Sequence, residues 1–115
     1  MAFIREADSI GEALAAIGCF RCVTRGWPKG MDSQTLPCVV IQKAGEQAAD
    51  RRDGHEYLTE VEYYIRVFAK TGDEVDSAAE HALRALEALG YERAFAWEEF
   101  TDGVCRVDMR VRTYR

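Results

Sequence analysis

The chain has 115 residues, of which 48% are hydrophobic and 30% are charged, a balance typical of one globular domain and too apolar for general disorder. Its net charge is −5, from 20 acidic and 15 basic side chains, so the surface as a whole repels a nucleic-acid backbone. No apolar run approaches the roughly 18 residues that span a bilayer, and the first residues lack the features of a signal peptide. We therefore expect no membrane contact and a location in the cytoplasm.

A capping box and a closing glycine delimit the first predicted helix. The Ser9 hydroxyl can accept a hydrogen bond from the amide of Glu12, whose carboxylate can reach back to the Ser9 amide. Apolar residues then recur at helical spacing up to Gly18, which offers the left-handed conformation that usually closes a helix. The sequence therefore predicts a helix over residues 10–17.

Residues 38–70 are predicted to form one long β-hairpin with its tip at residues 44–54. Its first strand is apolar on both alternating sets, as expected of a strand covered on both faces. Its second strand places a β-forming apolar face at the odd positions of residues 57–69, and its roughly 14 residues exceed the typical length of 5–6. Such a strand must project past the core or pair with something beyond it.

Before the hairpin, residues 24–37 contain both prolines and are predicted to form a loop, while residues 20–23 could be a short edge strand.

A second helix and a second hairpin complete the predicted elements. Asp73 supplies the N-cap of a helix over residues 74–89, which has an Ala/Leu face and ends at Gly90. Residues 94–114 form a hairpin around an Asp-Gly turn. The order α-β-β-α-β-β predicts an α+β fold in which two hairpins make a mainly antiparallel four-stranded sheet, with two helices packed on one face.

No catalytic centre or cofactor motif is found in the sequence. Cys19 and Cys22 have a spacing that could share a metal or form a redox pair. A zinc site needs two more ligands, which could in principle come from Cys38, Cys105, His55 and His81. Buried, reduced thiols are the better interpretation. Phosphate-loop, dinucleotide and zinc-protease motifs are absent. We therefore predict a protein that is not an enzyme and that has no metal and no cofactor.

The outward face of the long strand and the basic face of the last strand supply the candidate subunit-interface residues. Aromatic residues combined with arginine are the usual composition of a protein interface. The arginines of the last strand could contact nucleic acid, but pairing with Glu60 and Glu62, or with Glu98 or Glu99, fits the net charge better. The candidates are Arg51, Arg52, Leu58, Tyr64, Arg66, Phe68, Arg106, Arg110 and Arg112.

Residues 36–114 carry a distinctive order of segments. Leu-Pro-Cys-Val-Val-Ile is followed by a charged hairpin tip, the strand Glu-Tyr-Tyr-Ile-Arg-Val-Phe-Ala, an Ala/Leu helix and a closing Arg-Val-Asp-Met-Arg-Val-Arg-Thr-Tyr-Arg. This order resembles the tail-terminator or tail-completion (head-tail joining) proteins of long-tailed bacteriophages and prophages. An N-terminal helix followed by a proline-bearing loop also fits that family.

The resemblance implies a non-enzymatic assembly protein that forms a homohexameric ring at the tail end or the head-tail junction. DNA would pass through the ring without specific binding. The implied partners are copies of the chain itself, tail-tube proteins and head-tail connector proteins. The implied locations are the host cytoplasm during assembly and the virion tail.

Two other functions stay open from the sequence. One is a small-ligand or regulatory binding domain of a cytosolic bacterial protein, because an α+β outline serves many functions. A pocket with convergent polar groups between the second helix and the sheet would favour it. The other is a thiol- or zinc-binding protein, which rests on Cys19 and Cys22 alone.

Overall fold

The computed structural model describes the backbone of residues 2–26, 36–52, 55–101 and 103–114, and the side chains of residues 7–26, 36–45, 59–100 and 103–114. The elements within these ranges are, in chain order, α1 (Ala2–Ile17), β1 (Cys22–Thr24), β2 (Cys38–Arg52), β3 (His55–Ala69), α2 (Gly72–Ala88), β4 (Glu92–Thr101) and β5 (Val104–Tyr114).

The strands of the described part of the chain form one five-stranded sheet in the spatial order β1-β2-β3-β5-β4. β1 runs parallel to β2, and the other neighbouring pairs are antiparallel. The predicted α+β class with two hairpins and two helices is confirmed, but the predicted four-stranded sheet is wrong. The additional strand is β1, at the segment considered above only as a short edge strand. Its three residues are too few to show alternation, and its parallel partner lies beyond a long connection.

Both helices cover one face of the sheet, and side chains of β3 pack against them on that face. Side chains alternate between faces along a strand. The fully buried residues of β3 on this face include Val61, Tyr63, Ile65 and Val67. Burial of such a side chain contributes about 1.5–3 kcal/mol to folding. The apolar face predicted for residues 57–69 is therefore confirmed from Val61 onward.

Helix α1 begins about two turns before the predicted start. It extends to Ala2, so Ser9 lies inside the helix and does not cap it. Ala7 and Ile10 are both buried at helical spacing, so the apolar stripe that faces the sheet starts before Ser9 and outweighs the local capping signal. The predicted end is confirmed, because Gly18 closes the helix with a φ of 84°.

Helix α2 is capped by Thr71, two residues before the predicted cap. The Thr71 hydroxyl accepts a hydrogen bond from the amide of Glu74 at 3.2 Å, whereas Asp73 lies in the first turn, where its charge complements the helix dipole. Gly90 ends the helix as predicted, with a φ of 93°. In the described part of the chain, no helix is long and apolar enough to cross a membrane.

The hairpin of β2 and β3 extends beyond the neighbouring strand. β3 pairs with β5 only from Glu60 to Ala69, so residues 48–52 and 55–59, the hairpin arm, form a two-stranded ribbon with an irregular register. The predicted projection past the core is confirmed, and the molecule measures 53 × 25 × 23 Å. The predicted tip at residues 44–54 is wrong for residues 44–52, which belong to the paired strand β2. Small and charged side chains do not prevent this pairing, because strands are joined through backbone hydrogen bonds. Residues 53 and 54 lie outside the described residues.

The C-terminal hairpin is confirmed and begins two residues before the predicted residue 94. Gly103 has a φ of 76°, as the predicted turn requires, while Asp102 lies outside the described residues. A register shift between Arg93 and Phe95 interrupts the pairing of β4 with β5.

Two leucines near the C-terminal end of α2 test how much the buried face of this helix contributes to the free energy of unfolding. Leu86 is fully buried, and Leu89 is 44% exposed. We expect Leu86→Ala to lower the free energy of unfolding by about 2–5 kcal/mol, because it leaves a cavity, and the control Leu89→Ala to lower it by less than about 1 kcal/mol. Urea denaturation measures both, and equal losses would contradict the packing described here.

Candidate interaction surface

The face of the sheet opposite the helices, called the second face, is built from alternate residues of β3 and their cross-strand neighbours. Tyr64 lies opposite Arg110 and Arg66 lies opposite Asp108, and directly opposed residues share a face. β4 continues the surface, because Trp97 also lies opposite Asp108. The second face includes Cys22, Thr24, Cys38, Val40, Gln42, Glu60, Glu62, Tyr64, Arg66, Phe68, Glu92, Phe95, Trp97, Glu99, Val104, Arg106, Asp108, Arg110, Arg112 and Tyr114.

The arginines of β5 pair with carboxylates on the neighbouring strands. The Arg110 Nε lies 3.0 Å from a Glu62 carboxylate oxygen, and the Arg112 Nε donates a hydrogen bond to Glu92 at 2.8 Å. Arg112 also approaches Glu60 at 4.0 Å. The predicted pairing with Glu60 and Glu62 is confirmed, whereas Glu92 was not predicted. Because carboxylates neutralise these guanidinium groups, the arginines of β5 do not form an open phosphate-binding surface.

A buried carboxylate lies at the centre of the second face. Asp108 is 2% exposed, and its two oxygens lie 3.7 Å from the Arg66 Nε and 3.0 Å from the Arg106 Nε. Arg106 also contacts Glu99, and Arg66 donates a hydrogen bond to Gln42. Burial raises the pKa of Asp108, and the two arginines only partly oppose this effect. Sequence reasoning missed Asp108, although a lone acid among alternating arginines on one strand face was a usable signal.

An aromatic group, called the aromatic patch, lies beside these ion pairs and consists of Tyr64, Arg66, Phe95 and Trp97. The rings of Tyr64 and Trp97 meet edge to face at 6.5 Å between centroids, and Phe95 lies 5.2 Å from Trp97. The Arg66 guanidinium lies 4.8 Å from the centre of the Tyr64 ring. Phe95 is 56% exposed. Clustered aromatic and arginine side chains of this kind are enriched among the residues that dominate binding at protein interfaces.

The predicted interface candidates lie in three different environments. Tyr64 and Arg66 belong to the aromatic patch, and the arginines of β5 belong to the ion pairs. Phe68 lies on the second face but is only 5% exposed, because it packs with Leu36, Cys38 and Val40, so little of its ring is left for a partner. Arg51, Arg52 and Leu58 are strand residues of the hairpin arm, and their side chains lie outside the described residues.

The two cysteines of the predicted pair pack in different clusters. Cys19 packs against the main core under the helices, and Cys22 packs against the smaller cluster of the second face. Among the described residues, no three potential ligands come together to hold a metal ion. The near neighbour of Cys22 is instead Cys38, directly opposite on the parallel strand.

Two grooves beside the helices are lined by described residues. One, of about 260 Å³, lies between α2 and the C-terminal hairpin, and its charged lining residues Asp76, Glu80 and Arg93 are all exposed. Glu80 is already paired with Arg84 at 2.6 Å. The other, of about 360 Å³, lies between α1 and the edge formed by β1 and β2. Neither groove brings buried polar groups together in the way that would favour a small-ligand domain.

Comparison with known proteins finds a likeness of fold. No protein-family model matches the chain, and no curated protein sequence matches it. Among solved structures, the chain superimposes with a TM-score of 0.59 on a chain from the virion of a native gene transfer agent particle. The two chains share a fold. They are 17% identical, and the match covers 94% of this chain and 92% of that chain.

The pH dependence of stability tests the burial of Asp108. A carboxyl group whose pKa is raised by folding contributes stability below its ordinary pKa of 3.8, and this contribution is lost as the pH rises through the raised value. We therefore expect the free energy of unfolding to fall less steeply above about pH 4 in Asp108→Asn than in the wild type.

A control of opposite sign is available on α2. Hydrogen bonding to Arg84 lowers the pKa of the exposed Glu80, which therefore contributes stability above its ordinary value of 4.5 and loses it as the pH falls. Glu80→Gln should change the pH dependence in the opposite direction. Identical profiles for the wild type and Asp108→Asn in urea titrations would show that Asp108 does not titrate as described.

Proposed function

We propose that the chain is a non-enzymatic structural protein of a phage or prophage tail, which forms a ring at the tail end or the head-tail junction. The observation that carries this proposal is the fold likeness to a chain of a gene transfer agent virion, because it covers nearly the whole of both chains. The order of segments over residues 36–114, which resembles tail-terminator and tail-completion proteins, supports the same function. On this proposal the chain acts through its contacts with other subunits.

A ring requires each subunit to present two complementary surfaces, so that the contacts close head to tail. The hairpin arm is one candidate surface, because it extends past β5. The aromatic patch is the other, because it combines exposed aromatic area with arginine. On the proposal, the arm of one subunit contacts the patch of the next. The family resemblance implies six subunits.

The electrostatics of the chain fit a ring through which DNA moves. The net charge is −5, and the arginines of β5 are paired with carboxylates. A surface of this kind does not gain affinity by displacing counterions from DNA. The proposed partners are tail-tube and head-tail connector proteins. Assembly in the host cytoplasm and residence in the virion tail follow from the same proposal.

Two phenylalanines of β4 provide a matched test of the aromatic patch. Phe95 is 56% exposed on the second face, and Phe100 is 71% exposed on the face that carries the helices. We expect Phe95→Ala to weaken ring formation, or binding to the tail-tube protein of the same particle, by about tenfold or more, as for a central interface aromatic residue. Phe100→Ala should change binding by less than about threefold.

Sedimentation and native mass measurements, with and without the tail-tube protein, provide the readout. Circular dichroism of both variants checks that each remains folded. A wild-type chain that stays monomeric and does not bind the tail-tube protein would contradict the proposed function. Equal losses in the two variants would instead contradict only the assignment of the patch.

A further inference from the structure

Two cysteines lie side by side on neighbouring parallel strands. Cys22 of β1 and Cys38 of β2 are directly paired in the register and therefore project from the same face of the sheet. Neighbouring strands lie about 4.8 Å apart, which falls within the Cα separations that disulfides bridge. The Cys22 thiol is close enough to contribute to the raised pKa of Cys38. The two sulfur atoms are therefore already neighbours in the folded chain.

The surroundings give the two thiols different exposure. Cys38 is fully buried among Leu36, Val40 and Phe68, and the only ionisable side chain described in this cluster besides its own is that of Cys22. Cys22 is half-buried at the short edge strand, so reagents in solution can reach it. The other two cysteines pack against the main core under the helices. The fold thus pairs one accessible thiol with one protected thiol.

We propose that Cys22 and Cys38 form a thiol pair that a low-molecular-weight disulfide, such as glutathione disulfide, oxidises to an intramolecular disulfide. This inference holds whether or not the chain forms a ring. Because cytosolic thiols are kept reduced and extracellular cysteines are oxidised, the pair should be open inside a cell. On the proposed function, it should close after the particle is released.

The reaction is a balanced exchange in two steps. The Cys22 thiolate attacks one sulfur of the small disulfide, a mixed disulfide forms, and the first glutathione leaves as a thiolate that takes up the proton lost by Cys22. The Cys38 thiolate then attacks the Cys22 sulfur, and the second glutathione leaves and takes up the proton lost by Cys38. Two protein thiols are oxidised, and one glutathione disulfide is reduced to two thiols.

Burial makes the second step depend on pH. Burial, with a smaller effect of the Cys22 thiol, raises the pKa of Cys38 to about 12. Because the thiolate is the attacking species, the rate of the second step should rise about tenfold for each pH unit in the neutral range. The mixed disulfide on Cys22 should therefore accumulate near neutral pH and convert to the internal disulfide at higher pH.

Closure has a structural consequence at the edge of the sheet. β1 has only three residues, and a disulfide to β2 would close the segment between Cys22 and Cys38 into a loop. Loop closure of this length restricts the unfolded chain and should raise Tm by at least about 5 °C. The folded structure should change little elsewhere, because Cys22 and Cys38 are already neighbours in the register of β1 and β2.

Peptide mass mapping of the full chain under non-reducing conditions tests the proposal. After incubation with glutathione disulfide, we expect a peptide that links Cys22 to Cys38, with the loss of two hydrogen atoms, and its disappearance after reduction. Cys19→Ser, the matched control, should form the same link. Cys38→Ala should stop at the glutathione adduct on Cys22, and Cys22→Ser should form neither product.

Two outcomes would overturn the proposal. One is a link from Cys22 to Cys19, which the sequence spacing alone would suggest. The other is the absence of any internal link in both the wild type and Cys19→Ser, even at high pH. If Cys38→Ala does not fold, the wild type and Cys19→Ser still decide the question. The readout uses the isolated chain, so it is independent of whether rings assemble.

Discussion

The two-sided packing of β3 is the constraint on which the rest of the structure depends. One alternating set of its side chains, including Tyr63 and Ile65, is fully buried beneath the helices. The other set, including Tyr64 and Arg66, forms the second face. A shift of the register by one residue would exchange the two sets and place charges in the core. The same strand therefore fixes the hydrophobic core and the candidate interaction surface together.

The second face shows how polar groups are held on a sheet surface that no described helix covers. Desolvation disfavours the charge of Asp108, and the pKa of this group is raised although Arg66 and Arg106 lie beside it. Ion pairs of this kind add little to stability, because the cost of desolvation offsets much of their attraction. Removal of one partner is nevertheless destabilising, because it leaves the other charge buried and uncompensated. We infer that the contacts of Arg66 with Asp108 and Gln42 hold its guanidinium beside the Tyr64 ring.

The sequence predicts the features of this fold that a strong local signal specifies. Alternation along β3 identifies the buried face, and Gly18 and Gly90 identify the two helix ends, because each of these signals has a direct physical cause. The start of α1 is different, because Ser9 offers a valid local cap that tertiary packing overrides. β1 is too short to show a period.

The candidate site is less predictable than the fold, because it depends on which strands become neighbours. Phe68 alternates with core residues and has an outward position, yet the chain around Leu36 and Cys38 buries it. Phe95 and Trp97 lie on the second face only because of the register shift that follows Arg93. The proximity of Cys22 to Cys38 requires the parallel pairing of β1 and β2, whereas the sequence draws attention to the closer spacing with Cys19.

The two edges of the sheet are built differently, and this asymmetry bears on assembly. At one edge β1 covers only residues 38–40 of β2, whereas at the other β4 is a single strand of ten residues that carries Phe95 and Trp97 of the aromatic patch. Open edges invite pairing with other chains, and charged residues such as Glu98 and Glu99 limit indiscriminate pairing. Unequal edges disfavour an extended sheet made by repeated edge-to-edge contact. On the proposed function, contacts between subunits are then left to side chains of the second face and to the hairpin arm, which point in different directions and so fit a head-to-tail arrangement.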